Sequence, residues 1–433
     1  MNSALTPMQR WQSPMRAMES ASGFARKLEQ APYIRAQVPA PGRRSRRAKT
    51  VLLRMRPAVD YLFRASAVPA SLAASLSASQ RRALLRLSAA LPVALAFGAP
   101  RALFAQTAAL AGAGASFPSL VYGRWATAYE KTKGQAVSYK PTGSGDGVKQ
   151  ITARGVAFGG SDSPLASDEL TRRKLVQIPM LVGGIVPVVN LPGVPEGRLQ
   201  LTGDLLAELM MGRVAKWNDG RIAALNPGVA LPALPVKRIV RADKSGTTEG
   251  YTKYLSAVSP AFAKDVGANA QPKWPGDVEA AEGNDGMAKA LKAAPGTIAY
   301  VSYDRVQRDK LNGVRLRNAA GQWVAAGEAG FKSAIANSDL SRKGDDLASL
   351  MDRDGAESWP ITMTSFILID ATPATGVGAA PVMSFLYWCF MHGDDLTRGT
   401  GFAPLPVALQ SKLAARFAAV KPADGKLPAY LGI

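Results

Sequence analysis

From Gly112 onward the chain alternates short apolar runs with stretches whose apolar residues recur at helical spacing, the pattern of an α/β architecture. Val121, Trp125, Ala128 and Tyr129 share one helical face just after Pro118, a residue suited to a first helical turn. Residues 136–139 then read as a strand. Gly143-Ser-Gly-Asp-Gly147 introduces a second helical pattern through Val148, Ile151 and Thr152, and residues 156–158 read as another strand. Two strand–loop–helix passages in so short a stretch predict a parallel sheet, because parallel neighbours need a crossover.

Two apolar runs far apart, 184–189 and 359–369, predict fully buried strands. The long segment between them carries its own alternation: residues 238–240, a helix bearing Tyr251, Tyr254, Leu255 and Val258, and residues 297–301. This predicts a second domain inserted into the first. Residues 109–182 and 362–433 would form domain I and 183–361 domain II. The two runs would be the crossings, and such a pair encloses a cleft that can hinge.

Charge changes the picture only once it is located. The 433 residues carry 53 Lys+Arg against 32 Asp+Glu, a net +21, which by itself would suggest nucleic acid. Residues 1–105 hold 17 of the basic and 3 of the acidic residues, a net +14, so the rest carries only +7. Within that basic leader, residues 79–105 read as a cleavable signal peptide: Gln80-Arg81-Arg82-Ala83-Leu84-Leu85-Arg86, an apolar run from Leu87 to Ala99 too short to span a bilayer, then Pro100 and a small-residue exit with cleavage after Ala105. It resembles a twin-arginine export signal, with the general secretory route and an internal hydrophobic helix as the other readings. Residues 1–78 read as a basic extension, either never made or disordered, or else an arm that touches anionic lipid or nucleic acid. A single His and a single Cys exclude a His-based metal cage, an internal disulfide and a Cys-rich cluster. A metal held by Asp and Glu alone stays open.

The candidate chemistry lies in repetition. Gly114-Ala-Ser-Phe-Pro118, Gly143-Ser-Gly145 and Lys244-Ser-Gly-Thr-Thr248 each set a hydroxyl beside glycine just before a helical pattern. A helix start offers unsatisfied N–H groups and a partial positive charge, so three that converge would hold an oxyanion without metal. None matches a dinucleotide or phosphate-loop fingerprint. Arg241, at the end of a strand, adds a planar fork of donors. Asp162, in Gly159-Gly-Ser-Asp-Ser163, would repel an anion unless that anion carries a proton for the carboxylate to accept.

Gly112-Ala-Gly-Ala-Ser-Phe-Pro118, Thr142-Gly-Ser-Gly-Asp-Gly-Val-Lys-Gln-Ile151, Phe158-Gly-Gly-Ser-Asp162 and Arg241-Ala-Asp-Lys-Ser-Gly-Thr247, with Lys273-Trp-Pro275, Gly283-Asn-Asp-Gly286, Gly296-Thr-Ile-Ala-Tyr300 and Trp359-Pro-Ile-Thr362, resemble the periplasmic phosphate-binding protein of the ABC phosphate transporter. The similarity runs in order from Gly112 to beyond Leu405. It implies a type II periplasmic-binding-protein fold, two α/β domains joined by two crossing strands with the ligand cleft between them. It also implies an exported, periplasmic, monomeric receptor that delivers inorganic phosphate to a membrane permease and its ATPase, without cofactor, metal, nucleic acid or catalysis. The phosphate-binding set it implies is Ser116, Phe117, Ser144, Asp162, Arg241, Ser245, Gly246 and Thr247, with Asp243 steadying Arg241.

Three positions depart from the family pattern. Asp146 stands where glycine is frequent and reads as a helix cap, or else as a second carboxylate near the helix start that weakens phosphate affinity. Lys244 replaces glycine and either pairs with Asp146 or faces solvent, and Ala157 reads as a surface change. Rival functions are an oxyanion sensor uncoupled from transport and an exported phosphatase. Against the enzyme stand the missing Gly-x-Ser-x-Gly elbow, His392 read as a surface residue of a polar loop, Cys389 read as a packing residue, and Asn284-Asp285-Gly286 read as a tight turn.

Overall fold

The computed structural model describes residues 109–345, 347–426 and 428–429, all within the unit Leu103–Ile433. The signal peptide, its cleavage site and the extension 1–78 lie outside the described residues. The first half of the main sheet contains β1 (Leu110–Gly114), β2 (Val137–Lys140) and β3 (Phe158–Ser161), with β1 parallel to both others. The predicted parallel sheet is therefore present, its crossovers made by α1 (Ser119–Lys133) and α2 (Ser144–Thr152). The stripe Val121, Tyr122, Trp125, Ala126 and Tyr129 buries α1. Pro118 is its N-cap, and Gly134 ends it in the left-handed region at φ 71°, donating its N–H to Glu130 O at 2.8 Å.

The long strand β4 (Leu175–Asn190), buried along all but its last residue, joins the two halves. Beyond it lie β5 (Lys237–Arg241), β6 (Glu279–Ala281) and β7 (Thr297–Ser302), and β8 (Thr362–Asp370) returns beside β4. The sheet order is β2-β1-β3-β8-β4-β7-β5-β6. Gly184–Leu175 of β4 pair antiparallel with β8, whereas Ile185–Asn190 pair antiparallel with β7. Both predicted buried runs thus fall in strands, the second from Thr362 onward. β4 and β8 are neighbours in the middle of the sheet, but the run 184–189 lies beside β7 from Ile185 onward, while β8 lies beside the first part of β4. Full burial on both faces accounts for their unbroken apolar reading.

Two helices of the second half supply the site: α3 (Gly246–Val258) and α4 (Gly283–Ala293). A fifth, α5 (Gly376–Thr397), packs on α1. The loop expected at His392 is in fact the last part of α5. Gly393 was the misleading signal: it is buried because Trp125 lies on it, with Trp125 Nε1 donating to Gly393 O at 3.1 Å and a Cβ there meeting that ring at 2.8 Å. The glycine serves close helix packing and not a turn. His392 is exposed, its ring 5.3 Å from that of Trp388, and Cys389 is buried as expected.

Candidate phosphate-type site at converging helix starts

The β1, β3 and β5 carboxyl ends and the starts of α2, α3 and α4 come together at one place. Glycine makes the approach possible. Gly143, the N-cap of α2, has φ 95°, and a Cβ there would lie 2.5 Å from Asp243 Oδ2. Gly114, at φ 139°, has no room for a Cβ because Gly160 O would be 2.2 Å away.

Ser144 Oγ accepts the N–H of Asp162 at 3.1 Å and that of Gly246 at 3.2 Å. Gly145 donates its N–H to Lys244 O at 3.0 Å, so the α2 start and the loop before α3 are fastened together. Ser116 Oγ accepts from both Asn284 N (3.2 Å) and Asn284 Nδ2 (3.0 Å). The same Nδ2 reaches Thr247 Oγ1 at 3.5 Å, while Asn284 Oδ1 accepts from Ser302 N at 3.0 Å. Ser245 is the N-cap of α3, its Oγ accepting from Thr248 N at 3.1 Å.

These bonds fix hydroxyl polarity. A serine hydroxyl has one proton and two lone pairs. Ser116 and Ser144 spend both lone pairs on N–H donors, so each can only donate to a further group. Ser245 and Thr247 also accept from N–H donors and keep their protons.

Arg241 is 5% exposed and Asp243 grips it by both carboxylate oxygens, Nε to Oδ1 at 2.7 Å and Nη2 to Oδ2. Gly283 N donates to Asp243 Oδ1 at 3.0 Å, and Tyr300 OH accepts from Arg241 N at 3.3 Å. Arg241 Nη1 is buried without a hydrogen-bond partner among the described residues. An unsatisfied buried donor of this kind costs about 1–3 kcal/mol, which an anion placed against it would relieve.

Asp162 is 6% exposed and accepts from Ser365 Oγ at 2.7 Å through Oδ1. Burial lifts its pKa from 3.8 to about 7, against the pull of the Ser365 bond, Arg241 and Ser144, with Asp243 adding to the rise. Two hollows reach the cluster from outside. One, of about 490 Å³, touches it at Ser144 and Lys244; the other, of about 120 Å³, touches it at Asp162. Among the described residues no group of three or more His, Cys, Asp or Glu could hold a metal ion.

All eight candidate residues named from the sequence are buried, as seven side chains and the Gly246 backbone, and Asp243 grips Arg241 as expected. Phe117 is wholly buried, edge-on to Phe402. Asn284 is the residue missed. Its Gly-Asn-Asp-Gly setting suggested a tight turn, but it lies in the first turn of α4. Ser365 was missed too, although a serine inside an apolar buried strand was its signal. Asp146 caps nothing: Gly143 is the N-cap, and Asp146 sits in the first turn accepting from Gln150 Nε2. Lys244 is exposed, and Ala157 is half-buried against the core instead of lying on the surface.

A model of the PBP superfamily domain matches residues 103–391. Among solved structures, a high affinity periplasmic phosphate-binding protein (PfluDING) bound with phosphate is similar at 22% identity and a TM-score of 0.55, over 71% of this chain and 93% of that one. The phosphate-binding protein of Stenotrophomonas maltophilia is similar at 20% identity and a TM-score of 0.53, over 72% and 94%. With the sheet order above, these likenesses define a type II periplasmic-binding-protein fold. At the level of sequence, the phosphate-binding protein PstS of Haemophilus influenzae is 39% identical over 310 residues, 72% of this chain and 92% of that protein. That of Pasteurella multocida is 38% identical over 326 residues, 75% and 94%. The chain belongs to the PstS family of phosphate-binding proteins.

Proposed function

We propose that this protein captures inorganic phosphate in the cleft between the two halves of its sheet and delivers it to the permease and ATPase of an ABC phosphate transporter. The observation that carries the reading is Arg241 Nη1, a buried cationic donor without a partner among the described residues, set among hydroxyls that already accept from N–H donors. Ser116, Ser144, Ser245 and Thr247 donate O–H, the backbone N–H groups of Phe117 and Gly246 at the helix starts add to the field, and Arg241 donates its free Nη1. Asp162 accepts the P–OH. Sulfate, which offers only lone pairs there, meets an acceptor facing an acceptor.

The same reading assigns residues 109–182 and 362–433 to one domain and 183–361 to the other. Phosphate first meets one domain and its remaining oxygens recruit donors from the other, so ligand populates the closed form. Bonds such as Ser144 with Gly246, and Ser116 with Asn284, support a closure of this kind. Export through the leader at 79–105 would release a periplasmic, monomeric receptor. Binding without catalysis fits the exposed position of His392 and the burial of Cys389.

Equilibrium dialysis with labelled phosphate tests the reading. One phosphate per chain, displaced by arsenate and not by sulfate, is expected. Absence of binding overturns the reading, and steady release of phosphate from a phosphomonoester would overturn its non-catalytic part.

A further inference from the structure

Behind Asp162 the sheet register places a residue that neither the motifs nor the helix starts account for. Strands β3 and β8 pair antiparallel with Ser161 opposite Phe366 and Gly160 opposite Ile367. One step further along the same register sets Asp162 opposite Ser365, where ladder pairing stops. Directly opposed residues project to the same face at close range, and Ser365 Oγ accordingly donates to Asp162 Oδ1 at 2.7 Å. Ser365 is wholly buried. On its other side the register of β8 against β4 slips between Ser365 and Phe366, leaving Met180 as the extra residue of β4. Bulges of this kind re-aim side chains next to functional sites.

The surroundings leave few alternatives for control of the carboxyl. From β5 and the loop after it come Arg241 and Asp243, and from the α2 start comes Ser144. Tyr139 of β2 has its hydroxyl turned to Ala115 O at 2.8 Å. Tyr122 of α1 has a buried hydroxyl without a hydrogen-bond partner among the described residues. Burial holds its proton well above the usual phenol range, with Ser365 and Asp162 acting on it from close by. Ser365 is the only one of these groups bonded to the Asp162 carboxylate from within the sheet itself.

We propose that Ser365 is a positioning residue that holds Asp162 in its ionised, proton-accepting form, and that it thereby sets the pH below which the site stops rejecting oxyanions that carry no proton. The inference rests on the phosphate reading above. A protonated Asp162 becomes a donor, and a donor suits sulfate. Sulfate should therefore bind only the protein whose Asp162 carries a proton, and its Kd should rise about tenfold per pH unit above the carboxyl midpoint. Removing the Ser365 donor weakens the ionised form and moves that midpoint upward.

The test uses the full chain, stripped of ligand, in four forms: unaltered, Ser365→Ala, Ser365→Thr and Asp162→Asn. The Asp162 carboxyl is titrated by carbon NMR, with Asp162→Asn assigning the signal, and sulfate and phosphate affinities are measured from pH 6 to 9. Ser365→Ala should raise the carboxyl midpoint by about one pH unit and tighten sulfate about tenfold at pH 8. Ser365→Thr, which keeps the hydroxyl, should restore both. An unmoved midpoint in Ser365→Ala with phosphate binding intact would overturn the proposal, as would a midpoint raised equally in Ser365→Thr. If the unaltered chain bound no phosphate while the midpoint still moved, the phosphate reading and the selectivity drawn from it would fall, and control of the Asp162 proton by Ser365 would stand.

Discussion

Replacing Asp162 by Asn isolates the energetic cost of keeping a carboxylate inside the cluster. Burial raises the Asp162 pKa to about 7 from an ordinary 3.8. A carboxyl whose folded pKa lies above its unfolded one favours the fold while it is protonated. That contribution is complete below pH 3.8, is lost as pH rises, and is gone above pH 7. The interval is roughly 3 pH units, and at ~1.4 kcal/mol for each the loss is on the order of 4 kcal/mol. Asn has nearly the same shape and does not titrate. Urea unfolding of the two ligand-free proteins at steps from pH 4 to pH 8 measures the effect, because every other titrating group is common to both and cancels in the difference. The stability of Asp162→Asn relative to the unaltered chain should climb by about 4 kcal/mol between pH 4 and pH 7 and then level off. A difference that stays flat, or that grows in favour of the unaltered chain, would refute the burial argument.

Arg241→Ala removes the free Nη1 and leaves the Asp243 carboxylate uncompensated beside the anion, so phosphate Kd should rise by about 100-fold or more in calorimetry; a change under threefold would contradict the role given to Arg241. Asn284→Ala removes the Nδ2 donor from Ser116 and Thr247 and leaves the buried Ser302 N–H without its acceptor, so a roughly tenfold weaker Kd together with a stability loss of about 1–3 kcal/mol is expected in calorimetry and urea unfolding. Gly143→Ala forces a side chain into a backbone at φ 95° and towards Asp243, so stopped-flow measurements should show faster phosphate release together with a stability loss of about 1–3 kcal/mol.

Much of this site was legible because its chemistry is carried by backbone geometry, and glycine advertises backbone geometry. The hydroxyl–glycine pairs at 143–145 and 244–248 marked the starts of α2 and α3, which do meet, while Ser116 of the stretch 114–118 reaches the start of α4. The buried runs in β4 and β8 were legible for a different reason: strands covered on both faces read as continuous apolar sequence. What escaped was set by tertiary contact. Gly393 and Gly286 look like loop signals, yet Gly393 exists to admit Trp125 and Gly286 lies inside α4. Asn284 acts through Ser116, 168 residues away, and Ser365 through Asp162, 203 residues away. A lone serine in an apolar strand marked Ser365 as unusual, but no local pattern named the partner of either. Asp146 misled because an acidic residue near a helix start serves as a cap only at the N-cap position, which Gly143 occupies.

The most direct test of the central claim is calorimetry on the unaltered chain, unfolded and refolded to strip carried-over ligand, titrated at pH 8 first with sulfate and then with phosphate. The account predicts no sulfate heat and tight one-to-one phosphate binding. Sulfate binding of comparable strength at that pH, or no phosphate binding, would contradict it.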